Sequence, residues 1–108
     1  MENLKTFFFI KQESCLIQIN IKSILYVKGN GDYVSIQTAD KLYTIHSTMA
    51  TIEKKLPADD FMRIHNSYIV RMDKIISIEG STLIMKKEIM IPVSRAHKKV
   101  FFDRIVSL

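Results

Sequence analysis

A chain of 108 residues, 47% apolar and 25% charged, is long enough to bury one real core and has the composition of a globular domain, not a disordered segment. A lone Cys15 excludes an internal disulfide framework, and the early apolar run Phe7 to Ile10 is too short for a membrane span or a signal-peptide core, so a cytoplasmic protein without membrane association is expected. The net charge of +5 is uneven: residues 1–60 hold seven Lys against seven acids, and residues 61–108 hold nine Lys or Arg against four, which suggests one basic face and a polyanionic partner.

In chain order, Phe7–Lys11 and Cys15–Asn20 read as two strands around the polar turn Gln12-Glu13-Ser14. The stretch SILYVK, Ser23 to Lys28, is a third strand that runs into GNGD, a strong turn signal. Tyr33–Thr38 and Leu42–His46 complete a hairpin about Ala39-Asp40. A short helix follows, capped by Ser47 or Thr48, with Met49, Ile52 and Leu56 as its apolar stripe and Pro57 as its stop.

FMRIHNSYIVR, residues 61 to 71, then opens with the period of a strand, Met62 and Ile64 alternating with Arg63 and His65. Past Asn66 and Ser67, the spacing of Tyr68, Ile69 and Met72 suits one face of a helical turn. Ile75–Ile78 and Thr82–Met85 read as strands about Gly80. EIMIPV, Glu88 to Val93, is one more, with Pro92 marking a sheet edge or terminus. Ser94 caps a closing helix whose apolar face is Val100, Phe101, Ile105 and Leu108, with Arg95, Lys98, Lys99 and Arg104 on the wet side. These elements make a mainly β domain of short antiparallel strands with one internal and one C-terminal helix.

Catalysis finds no support in these residues. GNGD lacks the Lys-Ser or Lys-Thr of a phosphate loop, and HExxH, GxSxG and paired cysteines are absent. Cys15, His46, His65 and His97 have no close spacing that would mark a metal-ligand pair, and the acids are scattered. No enzyme activity, metal or cofactor is expected. Helix–turn–helix, zinc-finger and basic-zipper signatures are also absent, and the six Phe read mostly as core, so any grip on nucleic acid comes from loops and strand ends.

Three polar junctions are the candidates: GNGDY (29–33), HNS (65–67) and PVSR (92–95). Each follows a strand, and the third opens a helix whose first-turn N–H groups suit a phosphate. Arg95 has two parallel donors that match guanine O6 and N7, and Asn66 matches the N6/N7 edge of adenine. Each also has a plain structural role. Asn66 and Ser67 favour turns, Gly29 and Gly31 permit positive φ, and Ser94 is a helix cap. Arg95 is the least expected residue in place, since a cation at a helix start opposes the dipole.

Taken together, ILYVKGNGDYVSIQT, TIEKKLPADDFMRIHNSYIVRMDKI and IMIPVSRAHKKVFF resemble the LytTR-type DNA-binding domain of bacterial response regulators (LytR/AlgR family), from about Phe7 to the C-terminus. The resemblance implies a fold of about ten mostly antiparallel strands with short helices. It also implies sequence-specific double-stranded DNA binding by loops in the major groove, with residues 1–6 as a tail and 7–108 as the domain. The site residues carried over are Asn30, Asp32, Tyr33, Asn66 and Arg95, with Ser67 and Lys98 as backbone-contacting neighbours; His65 supports the turn from behind.

No acidic cluster of the kind that holds Mg²⁺ in a phosphoacceptor receiver occurs near the start. The chain is then either an excised output domain, with Met1 as a chosen boundary, or a short stand-alone regulator, and the excised domain is the favoured expectation. Alone it would be a monomer; dimerisation through a receiver would place two copies on repeated sites. The alternative is a protein-interaction module that docks through an exposed sheet edge, either Phe7–Lys11 or Glu88–Val93.

Overall fold

The computed structural model describes residues 6–105, apart from the side chain of Lys87. Ten strands run β1 (Phe7–Gln12), β2 (Cys15–Asn20), β3 (Ile24–Asn30), β4 (Tyr33–Thr38), β5 (Leu42–His46), β6 (Phe61–His65), β7 (Tyr68–Arg71), β8 (Ile75–Glu79), β9 (Thr82–Met85) and β10 (Ile89–Pro92). Two helices join them, α1 (Met49–Lys55) between β5 and β6 and α2 (Arg95–Arg104) at the end. All strand pairs are antiparallel. They form a β1-β2 ribbon, a five-stranded sheet of order β5-β4-β3-β7-β6, and a three-stranded sheet of order β10-β9-β8. The mainly β fold expected from the sequence is the one observed.

The five-stranded sheet is the middle layer because three of its strands are apolar on both faces. Ile69 of β7 packs into one cluster with Val27, Ile36, Phe61 and Ile52 of α1, roofed by Ile10 and Ile19 of the ribbon. Its neighbour Val70 points the other way, to Ile64, Leu83, Met85, Ile91 and Phe101. A strand buried on both sides loses its alternating pattern, and that corrects the reading of residues 68–72. Tyr68 and Ile69 lie on opposite faces of β7, not on one helical face, and only Met72–Lys74 forms a 3₁₀ turn. FMRIHNSYIVR is a β-hairpin: Phe61 pairs with Arg71, Met62 with Val70 and Arg63 with Ile69, and a bulge lies between Arg63 and His65.

Other expectations also change. Val100 is 62% exposed whereas Phe101 is fully buried, so α2 meets the core through Phe101, and the half-buried Ile105 follows just past the helix end; Leu108 lies outside the described residues. Of the six Phe, Phe61 and Phe101 are core and Phe8 packs against it, but Phe7, Phe9 and Phe102 are exposed, the first two in an edge-to-face pair. Alternation in β1 places Phe7 and Phe9 outward and Ile10 inward. Gly31 does take positive φ, at 68°, whereas Gly29 serves a close approach: a Cβ there would come within 2.8 Å of Met49 Cγ at the start of α1.

Tyr26 and Tyr68 face each other on the second core side, ring centroids 6.3 Å apart. Burial, and secondarily Tyr68, raises the Tyr26 phenol above its ordinary value of 10.0, while Lys28 opposes the shift. A raised acid in the fold favours the protonated native state. Its contribution is therefore complete below pH 10 and is lost as pH climbs through the higher folded value. Chemical denaturation from pH 9 upward should show stability falling, with a shallower fall in Tyr26→Phe.

Candidate nucleic-acid interface

The hairpin geometry places the three polar junctions at one end of the middle sheet, where β3 and β6 finish and β7 begins. Two backbone hydrogen bonds tie them together. The Gly29 N–H donates to the Ser67 carbonyl at 2.8 Å, which joins the 29–33 turn to the Asn66-Ser67 turn. The Ser94 N–H donates to the Ile64 carbonyl at 2.9 Å, which seats the start of α2 on β6 just before that turn. A third bond, from Ser47 N–H to the Asp32 carbonyl at 3.2 Å, holds the first turn against the approach to α1. Asn66, Ala96 and His97 accordingly line one depression between β6 and α2.

Asn30, Asp32, Tyr33, Asn66, Arg95 and Lys98 are all exposed, and Ser67 is half-buried. The side chains of Asn30, Asp32, Asn66, Arg95 and Lys98 make no hydrogen bond or ion pair to another described residue. Free donors and acceptors on a fixed backbone are what base-edge readout needs, because nothing internal must break first. Tyr33 is half committed: its ring meets His46 edge to face at 5.4 Å while half of it stays open to solvent. Lys28, beside the first turn, lies 5.9 Å over the Tyr68 ring, and Asp32 is the single acid among these positions.

The supports behind the turns are specific. His65 Nδ1 accepts the Ser67 N–H at 3.0 Å, so the neutral ring carries its proton on Nε2, and the same ring sits edge-on to Tyr68 at 5.5 Å. Ser94 stands at the N-cap position as expected, but its hydroxyl makes no cap bond to the backbone. It meets His97 Nδ1 at 2.6 Å instead. The His97 N–H donates to the Ser94 carbonyl at 3.0 Å, which leaves the Arg95 and Ala96 N–H groups at the start of α2 without a cap. Each histidine therefore has its own local partner, and the three do not form one cluster.

Arg63 joins the candidate site although its place in the sequence did not single it out. Its Nη2 donates to the Asn66 carbonyl at 2.7 Å and its Nη1 reaches Glu53 Oε1 of α1 at 3.3 Å. Its buried Nε has no partner among the described residues. The guanidinium thus fixes the Asn66 turn from the side of α1. Its only signal in the sequence is an outward place in the strand, since Glu53 stands ten residues away in another element. Arg63→Met, which keeps the stem and removes the donors, should weaken binding to a preferred duplex by about tenfold, as loss of a charge-assisted bond would. Titrations with preferred and scrambled duplexes check this, the scrambled affinity changing little.

A β scaffold thus holds two turns and a helix start together at one end, with exposed amide and guanidinium groups. The LytTr DNA-binding domain family matches residues 14–105, and the chain belongs to that family. It is 39% identical over 89 residues to the sensory transduction protein LytT of Bacillus subtilis strain 168, and 29% identical over 93 residues to the heme-containing CO-sensing transcriptional regulator RcoM 2 of Paraburkholderia xenovorans strain LB400. These matches cover 78% and 81% of this chain but only 37% and 35% of the relatives. The fold superposes with a TM-score of 0.79 and 24% identity on the LytTr DNA-binding domain of a putative methyl-accepting/DNA response regulator from Bacillus cereus, covering 92% of this chain and 95% of that one. The chain is thus a DNA-binding domain of a family defined by that role, not a member of an enzyme family. Among the described residues, no helix is long and apolar enough to cross a membrane.

Proposed function

We propose that this domain is the output module of a transcriptional response regulator and reads double-stranded DNA by inserting its three junctions into the major groove. Asn66 and Arg95 make the base contacts, with Asn30, Asp32 and Tyr33 forming an adjacent, more adaptable contact. Ser67 and Lys98 hold the phosphate backbone. One observation carries this reading: the Asn66 and Arg95 side chains are exposed and make no hydrogen bond to a described residue, on turns that backbone bonds from Gly29 and Ser94 lock to one end of one sheet. Paired Arg–guanine or Asn–adenine contacts discriminate by about 1–3 kcal/mol each, so two of them give useful specificity.

The chain matches about a third of each relative's length, and the relatives' names span a sensory transduction protein and a CO sensor. That pattern fits one reader joined to different sensors. In the whole protein, pairing through a receiver would set two copies on repeated sites in the cytoplasm, while this domain alone stays monomeric.

Selection from random duplexes with the purified chain should enrich a short motif; enrichment of none would defeat the reading. Lys98→Ala should weaken binding to every duplex and lower the salt slope by about one, since one phosphate contact is lost.

A second reading has a specific observation in its favour. Phe7 and Phe9 are exposed on β1, an edge strand of the ribbon, and Met90 is exposed on β10, an edge of the three-stranded sheet. Docking of a protein strand there predicts a stoichiometric partner and DNA binding that vanishes at physiological salt.

A further inference from the structure

The end of the middle sheet away from the three junctions, where β3 and β6 begin and β7 finishes, carries a different polar cluster. A depression of about 470 Å³ lies there, lined by Arg71 from the end of β7, Lys22 from the turn before β3, Lys54 and Lys55 from the last turn of α1, and Asp59 and Asp60 from the loop before β6. Ile21 and Leu56 supply an apolar wall.

Arg71 sets this depression apart from an ordinary lysine-rich surface. Its side chain is only 9% exposed, and among the described residues it is the one charged residue in the buried class. The guanidinium is incompletely answered: Nε donates to Asp73 at 2.9 Å, Nη1 reaches the Ile21 carbonyl at a long 3.5 Å, and Nη2 makes no hydrogen bond to a described residue. The group lies over the Phe61 ring at 5.3 Å. A largely desolvated, oriented fork with donors to spare is a strong anion receptor, and three ammonium groups at the rim add to its field. Lys54 and Lys55 also complement the helix C-terminus, but that role does not call for a buried arginine beside them.

The two aspartates narrow the ligand. Their carboxylates make no hydrogen bond or ion pair to a described residue, and they would repel a bare polyanion while accepting hydroxyl donors. We propose that this depression binds a small phosphorylated metabolite that carries hydroxyl groups. Its phosphate sits on Arg71 and the lysines, and its hydroxyls face Asp59 and Asp60. The site is separate from the duplex-reading junctions and does not depend on them.

Titration of the chain with ribose 5-phosphate at constant ionic strength, followed by backbone amide shifts, tests the proposal. Saturable shifts should map to residues 21–23, 54–60 and 71–72, with weaker binding of inorganic phosphate at the same amides and none of ribose. Lys54→Ala with Lys55→Ala, both exposed and outside the core, should weaken ribose 5-phosphate by about tenfold or more, and Arg71→Gln should abolish binding if it folds. Absence of saturation, shifts at residues 94–98 instead, binding of phosphate as tight as that of ribose 5-phosphate, or affinity unchanged by the paired lysine substitutions would overturn it.

Discussion

Phe101→Ala is expected to destabilise the domain by about 3–5 kcal/mol, the range found when a large buried aromatic is truncated in a core that cannot close over the gap. Phe101 is fully buried and is the residue through which α2 enters the cluster of Ile64, Val70, Leu83 and Ile91. Val100, its neighbour in the chain, is 62% exposed, so Val100→Ala should leave stability within about 0.5 kcal/mol. Urea denaturation of the two variants beside the parent chain measures both. Because α2 carries Arg95, the Phe101 variant should also lose affinity for its preferred duplex as the helix loosens. The bonds from Arg104 to the carbonyls of Ala58, Asp59 and Phe61 would still hold the far end of the helix.

Arg95→Ala is expected to act in the opposite way. The side chain is exposed and makes no hydrogen bond or ion pair to a described residue, and removing a cation from a helix start relieves an unfavourable dipole interaction. Stability should therefore be unchanged or slightly higher. Affinity for the selected duplex should fall by about 1–3 kcal/mol, with preference relaxed at one base position. Competition titrations against single-base variants of the selected site separate that loss from a uniform weakening. Loss of stability together with loss of binding would assign Arg95 to the fold rather than to the reader.

The parts of the fold visible in the sequence are those where one local rule dominates. GNGD marks a hairpin because Gly31 must take positive φ, and Thr48 with Pro57 brackets α1 because a hydroxyl cap and a proline stop act locally. Leu42–His46, Thr82–Met85 and Cys15–Asn20 lie where alternation and turns place them. The strand Tyr68–Arg71 was hidden because burial on both faces erases the period of two and leaves a spacing that a helical turn also satisfies. Val100 was misplaced for a related reason. Apolarity says that a residue can be buried, and the rotation of α2 about Phe101 decides which one is.

The candidate site divides in the same way. Arg95 could be named because a cation is unusual at a helix start, whereas Asn66, of a type common in turns, could be named through the family resemblance of the strand-to-turn junction around it. Arg63, the Ser94–His97 contact and the convergence of the three turns depend on pairings between residues far apart in the chain. Arg71 had no local oddity to reveal it. Its burial follows from the packing of the 21–23 turn and Phe61 around the end of β7.

The most direct measurement is the backbone amide spectrum of the chain with and without the duplex that selection enriches. The largest changes should fall at residues 29–33, 65–67 and 94–98 together, with β1 and β10 quiet. Changes confined to those edge strands, or present at one junction and missing at the other two, would contradict a reader built from three turns at one end of the sheet.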